Sequence, residues 1–297
     1  MTNRYSNLER PGLDAAALSV ALCAPAGPYA RVELVQETGS TNDDLAGLAE
    51  LEPGQWPDLS VLTAEMQRAG RGRLGRNWVA PERSSLIVSL LLRPVNAGGR
   101  PLPTESYSWL SLLAALALAE SVEDRTEVSP QLKWPNDVIV DSRKLAGVLA
   151  RFVPGADGSP PALVVGVGLN VSLTDSELPV PTATSLLLEY AGTTDRNILL
   201  KSFLRTFAAR YSAFCAVDGD ASATLADGST LAGAVSARMH TLGRSVRAEL
   251  PGGRELTGHA LALDEHGGLV MRDDDGGRHT VSVGDVVHLR PAGQDAG

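Results

Sequence analysis

Residues 67–78 combine closely spaced arginines with glycines. The segment reads Gln-Arg-Ala-Gly-Arg-Gly-Arg-Leu-Gly-Arg-Asn-Trp, with arginines at 71, 73 and 76. Glycines let a backbone approach an anion closely, and guanidinium groups donate forked hydrogen bonds to phosphate or carboxylate. The segment therefore predicts an anion-binding loop. An RNA-binding arginine-glycine segment and a plain solvated loop are the alternatives.

Three other short segments place polar groups where a strand or helix begins or ends. Lys-Trp-Pro-Asn-Asp at 133–137 offers an ammonium for a phosphate, and Asn136 or Asp137 for a base, a sugar or magnesium. A strand end with a turn and a surface lysine explains it equally. Gly-Val-Gly-Leu-Asn at 166–170 opens the backbone to a flat ligand or marks tight packing. Ser-Thr-Asn at 40–42 also fits simple helix N-capping.

Histidine and lysine are unevenly distributed along the chain. The first histidine is His240, and the lysines are Lys133, Lys144 and Lys201. If the active site lies before residue 240, it uses no histidine general base, serine or cysteine triad, or histidine-bound metal. Because arginine supplies most of the positive charge, a lysine indicates a place that needs a compact ammonium. The alternative is that the small number of lysines is due to chance.

Composition limits the class of protein. A chain of 297 residues with 43% hydrophobic and 21% charged residues is expected to form one large domain and a smaller one. The net charge of -9 argues against broad nucleic-acid binding. Two cysteines far apart in sequence form no disulfide framework, which favours a reducing cytoplasm.

Two apolar runs bear on localisation. Residues 15–26 resemble the core of a signal peptide, but Glu9 and Asp14 precede them in place of a positive region, so we expect the run to be retained. Residues 109–119 are too few to span a bilayer and predict a buried helix. We therefore expect no membrane segment and a cytoplasmic protein.

The elements that must position these residues follow from hydrophobic periodicity. Residues 1–30 are expected to be an N-terminal extension, and a strand at 31–37 leads into a helix that starts at the Ser-Thr-Asn segment. Helical patterns occupy 104–123 and 197–216. Further strands, which indicate an antiparallel or mixed sheet, are predicted at 59–64, 85–92, 132–134, 138–140, 145–153 and 162–171. After residue 241, short strands and turns predict a small β-barrel of about fifty residues.

Taken in order, the segments at 39–42, 67–78, 133–137, 143–147 and 166–170 resemble the motifs of the biotin protein ligase family. The resemblance spans residues 31–240, and the predicted barrel is similar to the SH3-like domain of that family. It implies an α+β fold: a catalytic domain at 31–238 like class II aminoacyl-tRNA synthetases, with a mixed sheet, and an SH3-like domain at 239–297. Regulatory members carry an N-terminal DNA-binding domain. The segment before residue 31 is too short for one, so the monofunctional type is expected.

The resemblance also implies roles for individual residues. Lys133, Arg71 and Arg73 are expected to be catalytic. The expected biotin ligands are Ser40, Thr41, Asn42, Gln67, Arg71, Gly72, Arg73, Lys133, Gly147 and Gly168. The expected ATP ligands are Arg73, Arg76, Trp78, Lys133, Asn136, Lys144 and Asn170. Biotin and ATP with Mg²⁺ are the implied substrates, and no metal site of the protein itself is expected.

The implied activity is formation of biotinyl-adenylate and transfer of biotin to a lysine of a biotin carboxyl carrier domain. Bringing a carboxylate to a phosphate requires charge neutralisation more than proton abstraction, which fits a site without histidine. A lipoate or octanoate transferase of the same superfamily is the nearest alternative. A non-catalytic, nucleotide-responsive DNA regulator is the other, and the acidic charge disfavours sequence-specific DNA as a partner.

Overall fold

A computed structural model describes residues 10–155, 160–250, 254–282 and 285–288. The α-helices of this part are α1 (Ala15–Leu22), α2 (Thr41–Leu51), α3 (Ser108–Thr126), α4 (Arg196–Ala216) and α5 (Leu231–Arg238). The strands are β1 (Arg31–Thr38), β2 (Ser60–Gln67), β3 (Gly70–Arg71), β4 (Asn77–Trp78), β5 (Ser85–Leu92), β6 (Gln131–Lys133), β7 (Asp137–Val140), β8 (Arg143–Val153), β9 (Ala162–Asn170), β10 (Ser245–Leu250), β11 (Arg254–Leu263), β12 (Leu269–Arg272), β13 (Arg278–Val281) and β14 (Asp285–His288).

The central sheet has seven strands in the order β1-β2-β5-β9-β8-β7-β6. Only the β1–β2 pair within it is parallel, and the other neighbours are antiparallel. The predicted mixed sheet is therefore confirmed. The predicted helix at 104–123 is observed as a 3-10 turn, Thr104–Tyr107, followed by α3.

Side-chain alternation divides the sheet into two faces that are used differently. On β9, Val165 and Val167 point into the main core, which α3 and α4 cover. The intervening Val164 belongs to a second, smaller core under α2. Because residues i and i+2 share a face, Gly166 and Gly168 lie on the α2 side. Helix α2 covers only part of that side, and the glycine backbone is left beside its N-terminus.

Helix α3 carries the long apolar run identified in the sequence. Its residues from Leu112 to Ala119 are almost fully buried between the sheet and α4, which explains why nearly every position is apolar. In the part of the chain that the structure describes, none of the helices has both the length and the hydropathy needed to cross a bilayer.

Residues 10–30, which were expected to be an N-terminal extension, pack onto the large domain. Leu18 and Leu22 of α1 are fully buried, and the backbone N–H of Leu13 donates to Glu65 Oε1 at 2.6 Å. The other oxygen of Glu65 lies 2.6 Å from the guanidinium of Arg196, and both of these side chains are buried. The apolar run that resembled a signal peptide is thus part of the folded core.

The C-terminal domain is a five-stranded antiparallel sheet in the order β13-β12-β11-β10-β14, consistent with the expected SH3-like fold. Its β11–β12 turn rests on the catalytic domain. Trp109 Nε1 donates to the carbonyl of Glu265 at 2.7 Å, and Trp134 Nε1 donates to that of Gly267 at 2.9 Å. These contacts place one end of the small domain beside the strand that carries Lys133.

Candidate active site

A cleft of about 520 Å³ opens on the α2 side of the sheet. Every residue that the sequence assigned to biotin or ATP lines it: Ser40, Thr41, Asn42, Gln67, Arg71, Gly72, Arg73, Arg76, Trp78, Lys133, Asn136, Lys144, Gly147, Gly168 and Asn170. These residues come from segments up to 130 positions apart. The fold therefore brings the motifs together in one place, although which ligand each residue contacts stays a prediction.

One end of the cleft is closed by a buried network of hydroxyl and amide groups. Gln67 Oε1 accepts from Thr41 N at 2.8 Å and from Thr41 Oγ1 at 3.0 Å. Ser89 Oγ lies 2.8 Å from Thr41 Oγ1 and 2.7 Å from Asn42 Oδ1, while Asn42 Nδ2 donates to the carbonyl of Leu149 at 2.8 Å. Such a network fixes side-chain orientation, so this end is preorganised for a polar group of a ligand.

The Ser-Thr-Asn segment caps helix α2 and also lines the cleft. Ser40 is the N-cap of α2, and its hydroxyl lies 3.4 Å from the N–H of Asp43. Thr41 and Asn42 form the first turn, and their side chains point into the network and not to solvent. Helix capping thus explains Ser40, while the other two residues build the wall of the cleft.

Glycines form the floor of the cleft because larger residues do not fit. A Cβ atom at Gly168 would lie 2.5 Å from Trp78 Cε2, and one at Gly166 would overlap the amide of Asn42. Gly147, which pairs with Gly168 across β8 and β9, lies under the same indole. The flat group that approaches this backbone in the structure is therefore the Trp78 side chain.

The arginine-glycine segment is a short hairpin and not the irregular loop that was expected. Strands β3 and β4 pair, and a 3-10 turn, Arg73–Gly75, joins them. Gly75 has φ +74°, a left-handed conformation that favours glycine. Arg71 Nε lies 2.9 Å from Asp43 Oδ2, and Arg151 binds the other oxygen of Asp43 at 2.5 Å. An acidic residue of α2 thus ties the hairpin to the cleft wall.

The Lys-Trp-Pro-Asn-Asp segment divides its residues between structure and cleft. Trp134 is buried, and a cis peptide bond joins it to Pro135. Asn136 Nδ2 donates to the carbonyl of Val148 at 2.5 Å, and Asp137 forms an ion pair of 2.6 Å with Lys144. Lys133 is half-buried in the cleft lining. Within the described residues, no hydrogen bond or ion pair engages its ammonium.

The two asparagines expected on the ATP side also hold backbone in place. Asn170 is buried, and its Nδ2 donates to the carbonyl of Thr184 at 2.9 Å. The amide of Asn136 is bound to β8 in the same way. Both residues line the cleft, and each uses one of its two amide N–H donors within the protein. Lys144 lies beside them, with Nζ 6.0 Å from the centre of the Trp78 ring.

Sequence reasoning missed several residues of the site. Asp43 was not selected, because an acidic residue is common in the first turn of a helix. Ser89 is a lone hydroxyl near the middle of the apolar strand β5, a weak signal that a polar partner exists. Gly166 belongs to a recognised motif but was not selected. The missed lining residues from the C-terminal domain are Glu249, Val286 and Val287.

The C-terminal domain also brings histidines towards Lys133, although none precedes residue 240. The rings of His240 and His288 lie 5.1 Å apart. Burial, together with the nearby charges of Lys133 and Arg244, lowers the pKa of His288 to about 4. Burial and the same two cations also lower the pKa of His240. Both rings are therefore neutral at pH 7, and neither lines the cleft.

The donor set of the described residues does not form a metal site. No cluster of three or more histidine, cysteine, aspartate or glutamate side chains occurs in that part of the chain. The carboxylates that line the cleft are Asp137, which is paired with Lys144, and Glu249.

Family models match both parts of the chain. Residues 35–170 match the biotin/lipoate A/B protein ligase family, and residues 241–289 match the biotin protein ligase C-terminal domain. The two matches correspond to the sheet that carries the cleft and to the small domain beside it. Fold and site thus define a ligase of the biotin/lipoate class.

Individual relatives narrow this class. A biotin--[acetyl-CoA-carboxylase] ligase of Mycobacterium tuberculosis is 40% identical over 95% of this chain and 97% of its own length. Another such ligase, from Paracoccus denitrificans, is 31% identical over 85% of this chain and 98% of its own length. The structure of the Aquifex aeolicus biotin protein ligase with biotin and ATP superposes with a TM-score of 0.67 at 27% identity, covering 89% of this chain and all of the other. The chain belongs to the biotin protein ligase family.

Proposed function

We propose that this protein activates biotin with ATP to biotinyl-5'-AMP, releasing pyrophosphate, and transfers the biotinyl group to a lysine of a biotin carboxyl carrier domain. The observation that supports this most directly is the half-buried ammonium of Lys133, which has no described partner and shares the cleft with the arginine-glycine hairpin. A cation held without a counter-ion is suited to an anionic substrate or transition state.

In the first step, an oxygen of the biotin carboxylate attacks the α-phosphorus of ATP, and pyrophosphate leaves. Two negatively charged groups must approach each other, so the chain has to supply positive charge before the reaction begins. Lys133 would lie beside the carboxylate and the α-phosphate, and Arg71 and Arg73 would approach from the hairpin. Mg²⁺ would accompany ATP as substrate and neutralise part of the phosphate charge.

The closed polar end of the cleft is the place we assign to the biotin ring system. Thr41, Asn42 and Gln67 offer a hydroxyl and two amides there, and their mutual hydrogen bonds hold them in position. The ring would thus be held at one end while the carboxylate reaches Lys133. The nucleotide would occupy the part of the cleft near Trp78, Lys144 and Asn170.

In the second step, the amine of a carrier lysine attacks the acyl carbon of the mixed anhydride, and AMP leaves. The amide bond forms as the bond between the acyl carbon and the phosphate oxygen breaks, and the amine releases its proton to water. The carrier that we propose belongs to a biotin-dependent carboxylase, as the names of the Mycobacterium and Paracoccus relatives indicate for those proteins. We also propose that the reaction takes place in the cytoplasm.

The test is to incubate the purified protein with α-³²P-labelled ATP and either biotin or lipoate, and to separate the nucleotides by thin-layer chromatography. Biotin should produce an acyl-adenylate and lipoate should not. Reactions without either acid, and reactions in excess EDTA, are the controls. An adenylate formed only with lipoate, or none with either acid by a folded protein, would contradict the proposal.

A further inference from the structure

Lys133 lies at the end of a weakly supported strand. Strand β6 spans only three residues, Gln131–Lys133, and forms one edge of the seven-stranded sheet. On its inner side it pairs with β7. An edge strand this short has few backbone partners to hold it, so its end should move unless another segment binds its outer side.

The outer side of β6 is bound by the segment that enters the C-terminal domain. Leu132 forms an isolated parallel bridge with Met239, and the N–H of His240 donates to the carbonyl of Leu132 at 2.7 Å. One residue further on, the N–H of Trp134 donates to the side-chain hydroxyl of Thr241 at 2.9 Å. The backbone groups on both sides of Lys133 are therefore held by two consecutive residues, His240 and Thr241.

The two contacts differ in how they depend on sequence. The first joins main-chain groups, so every residue except proline can supply the donor at position 240. The second requires a hydroxyl, because the Trp134 N–H has no other recorded acceptor among the described residues. Thr241 is fully buried, so water is not available to replace it.

The imidazole ring of His288 completes the hydrogen bonding of the Thr241 hydroxyl. His288 Nε2 lies 3.2 Å from Thr241 Oγ1. Since the oxygen accepts from Trp134, its own proton is free to be donated to an unprotonated Nε2. A neutral His288 offers such an acceptor, and its lowered pKa is consistent with that state. Thr241 is thus fixed from the strand side and from β14.

We propose that Thr241 is a positioning residue for Lys133: its buried hydroxyl holds the Trp134 N–H and so sets the end of β6 from which the Lys133 ammonium enters the cleft. The inference rests on the proposed function, because it assumes that Lys133 acts on the anionic centre. It assigns to the C-terminal domain a part in adenylate formation through a residue that does not line the cleft. The domain acts here through the backbone of the catalytic lysine and not by touching substrate.

The experiment uses the full chain with three substitutions. Thr241→Val keeps the size of the side chain and removes the hydroxyl, Thr241→Ser keeps the hydroxyl and removes the methyl group, and Thr280→Val makes the first change at an exposed site in the same domain. Steady-state pyrophosphate release, with the carrier domain in excess so that no adenylate accumulates on the enzyme, measures adenylate formation. Single-turnover labelling from supplied biotinyl-adenylate measures transfer to a biotin carboxyl carrier domain.

We expect Thr241→Val to lower kcat of pyrophosphate release at least tenfold, with KM for biotin changed less than threefold. Transfer from supplied adenylate should fall less than threefold. Thr241→Ser should retain at least half of the wild-type kcat, and Thr280→Val should match the wild type. Circular dichroism and the urea midpoint establish that each variant is folded. A general structural defect would lower both half-reactions together.

Several results would overturn the inference. One is a wild-type kcat in folded Thr241→Val, and another is an equal loss in Thr241→Val and Thr241→Ser, which would point to the methyl group. If Thr241→Val does not fold, Thr241→Ala takes its place in the comparison with Thr241→Ser, under the same criteria. An absence of acyl-adenylate with the wild-type protein would instead refute the proposed function, so the two failures are distinguishable.

Discussion

At the scale of single residues, the site depends on charged lysines and on glycines, which no larger or uncharged side chain can replace. Lys133 carries an ammonium that no described partner neutralises, while Asp137 already neutralises the neighbouring Lys144. The two lysines of the cleft, Lys133 and Lys144, therefore have different roles. The first is free to meet an anion, and the second chiefly joins β7 to β8.

Replacement of Lys133 by alanine should reduce adenylate formation by about 3 to 4 kcal/mol of transition-state stabilisation, or two to three powers of ten in rate. Biotin binding should weaken much less, because the largest charge develops only in the transition state. Lys201→Ala, which changes a lysine on α4 outside the cleft, is the matched control. Near-normal pyrophosphate release by a folded Lys133→Ala protein would refute the assignment.

Gly168→Ala should disturb the cleft floor, because its Cβ would meet the Trp78 indole at 2.5 Å. We expect a loss of about 1 to 3 kcal/mol in free energy of unfolding if the indole stays, or a raised KM for ATP if it moves away. Gly47→Ala on α2 is the control, since a Cβ there meets nothing within 4 Å. Urea unfolding and nucleotide kinetics measure the two effects. Wild-type values in both would show that the close packing has no importance.

Much of the site was predictable at this scale, because each motif carries residue types that few structural roles require together. The remainder depends on contacts between distant segments. Nothing near Ser89 in sequence reveals that its hydroxyl meets Thr41 and Asn42, which lie almost fifty positions earlier. In the sequence, Asp43 is an ordinary acidic residue in the first turn of a helix. Its ion pairs with Arg71 and Arg151 are visible only in the structure.

At the scale of elements, the hairpin of β3 and β4 is one of the smallest elements that line the cleft. It consists of two strands of two residues each and a 3-10 turn. Arg71 joins the hairpin to α2 through an ion pair with Asp43, and because Arg71 is mostly exposed, this pair contributes about 0 to 1 kcal/mol. We expect an anionic ligand to order the hairpin further, because guanidinium groups bind phosphate and carboxylate through forked hydrogen bonds.

Arg73→Gly should weaken retention of biotinyl-adenylate while preserving some synthesis, because the hairpin would close less completely over a reactive mixed anhydride. The variant should label an unrelated protein more than the wild type does on an avidin blot. Arg68→Gly, at a neighbouring arginine that pairs with Glu37 outside the cleft, is the control. Limited proteolysis of residues 70–77 should show protection by biotin in the wild type. Equal protection with and without biotin, or labelling of the carrier alone by Arg73→Gly, would contradict the lid role.

Long elements were predictable because their hydrophobic periodicity extends over many residues. The predicted strand at 85–92 coincides with β5, and the predicted helix at 197–216 begins one residue after α4 does. The hairpin has strands too short to show any period. The packing of residues 10–30 was missed for another reason: the groups that hold them, Glu65 and Arg196, are distant in sequence.

At the scale of the whole molecule, the junction between the two domains should respond to pH through His288. Its pKa is lowered to about 4 in the folded protein, against about 6.5 in an unfolded chain. The unfolded state therefore binds more protons between these values, and stability rises with pH there. The stability that neutral His288 contributes to the folded state is fully present above about pH 6.5. It is lost as the pH falls towards 4.

We expect His288→Gln to remove this dependence. Between pH 7 and pH 5 the wild type should lose on the order of 1 kcal/mol more unfolding free energy than the variant, a value reduced for the partial exposure of the ring. Urea titrations at the two pH values measure the difference, and His259→Gln in the same domain is the control. An equal loss in wild type and His288→Gln would show that this ring does not govern the response.

The contact between the domains has an evolutionary consequence. Trp109 and Trp134 bind the carbonyls of Glu265 and Gly267, and a carbonyl is present whatever side chain the residue carries. Position 267 is restricted for a separate reason, its φ of +74°, but position 265 is not. Mutational drift at the turn should therefore be tolerated without matching changes in the tryptophans. In a family alignment the contact should appear as constraint on one partner and not as paired substitution, so covariation methods would underestimate how firmly the two domains are joined.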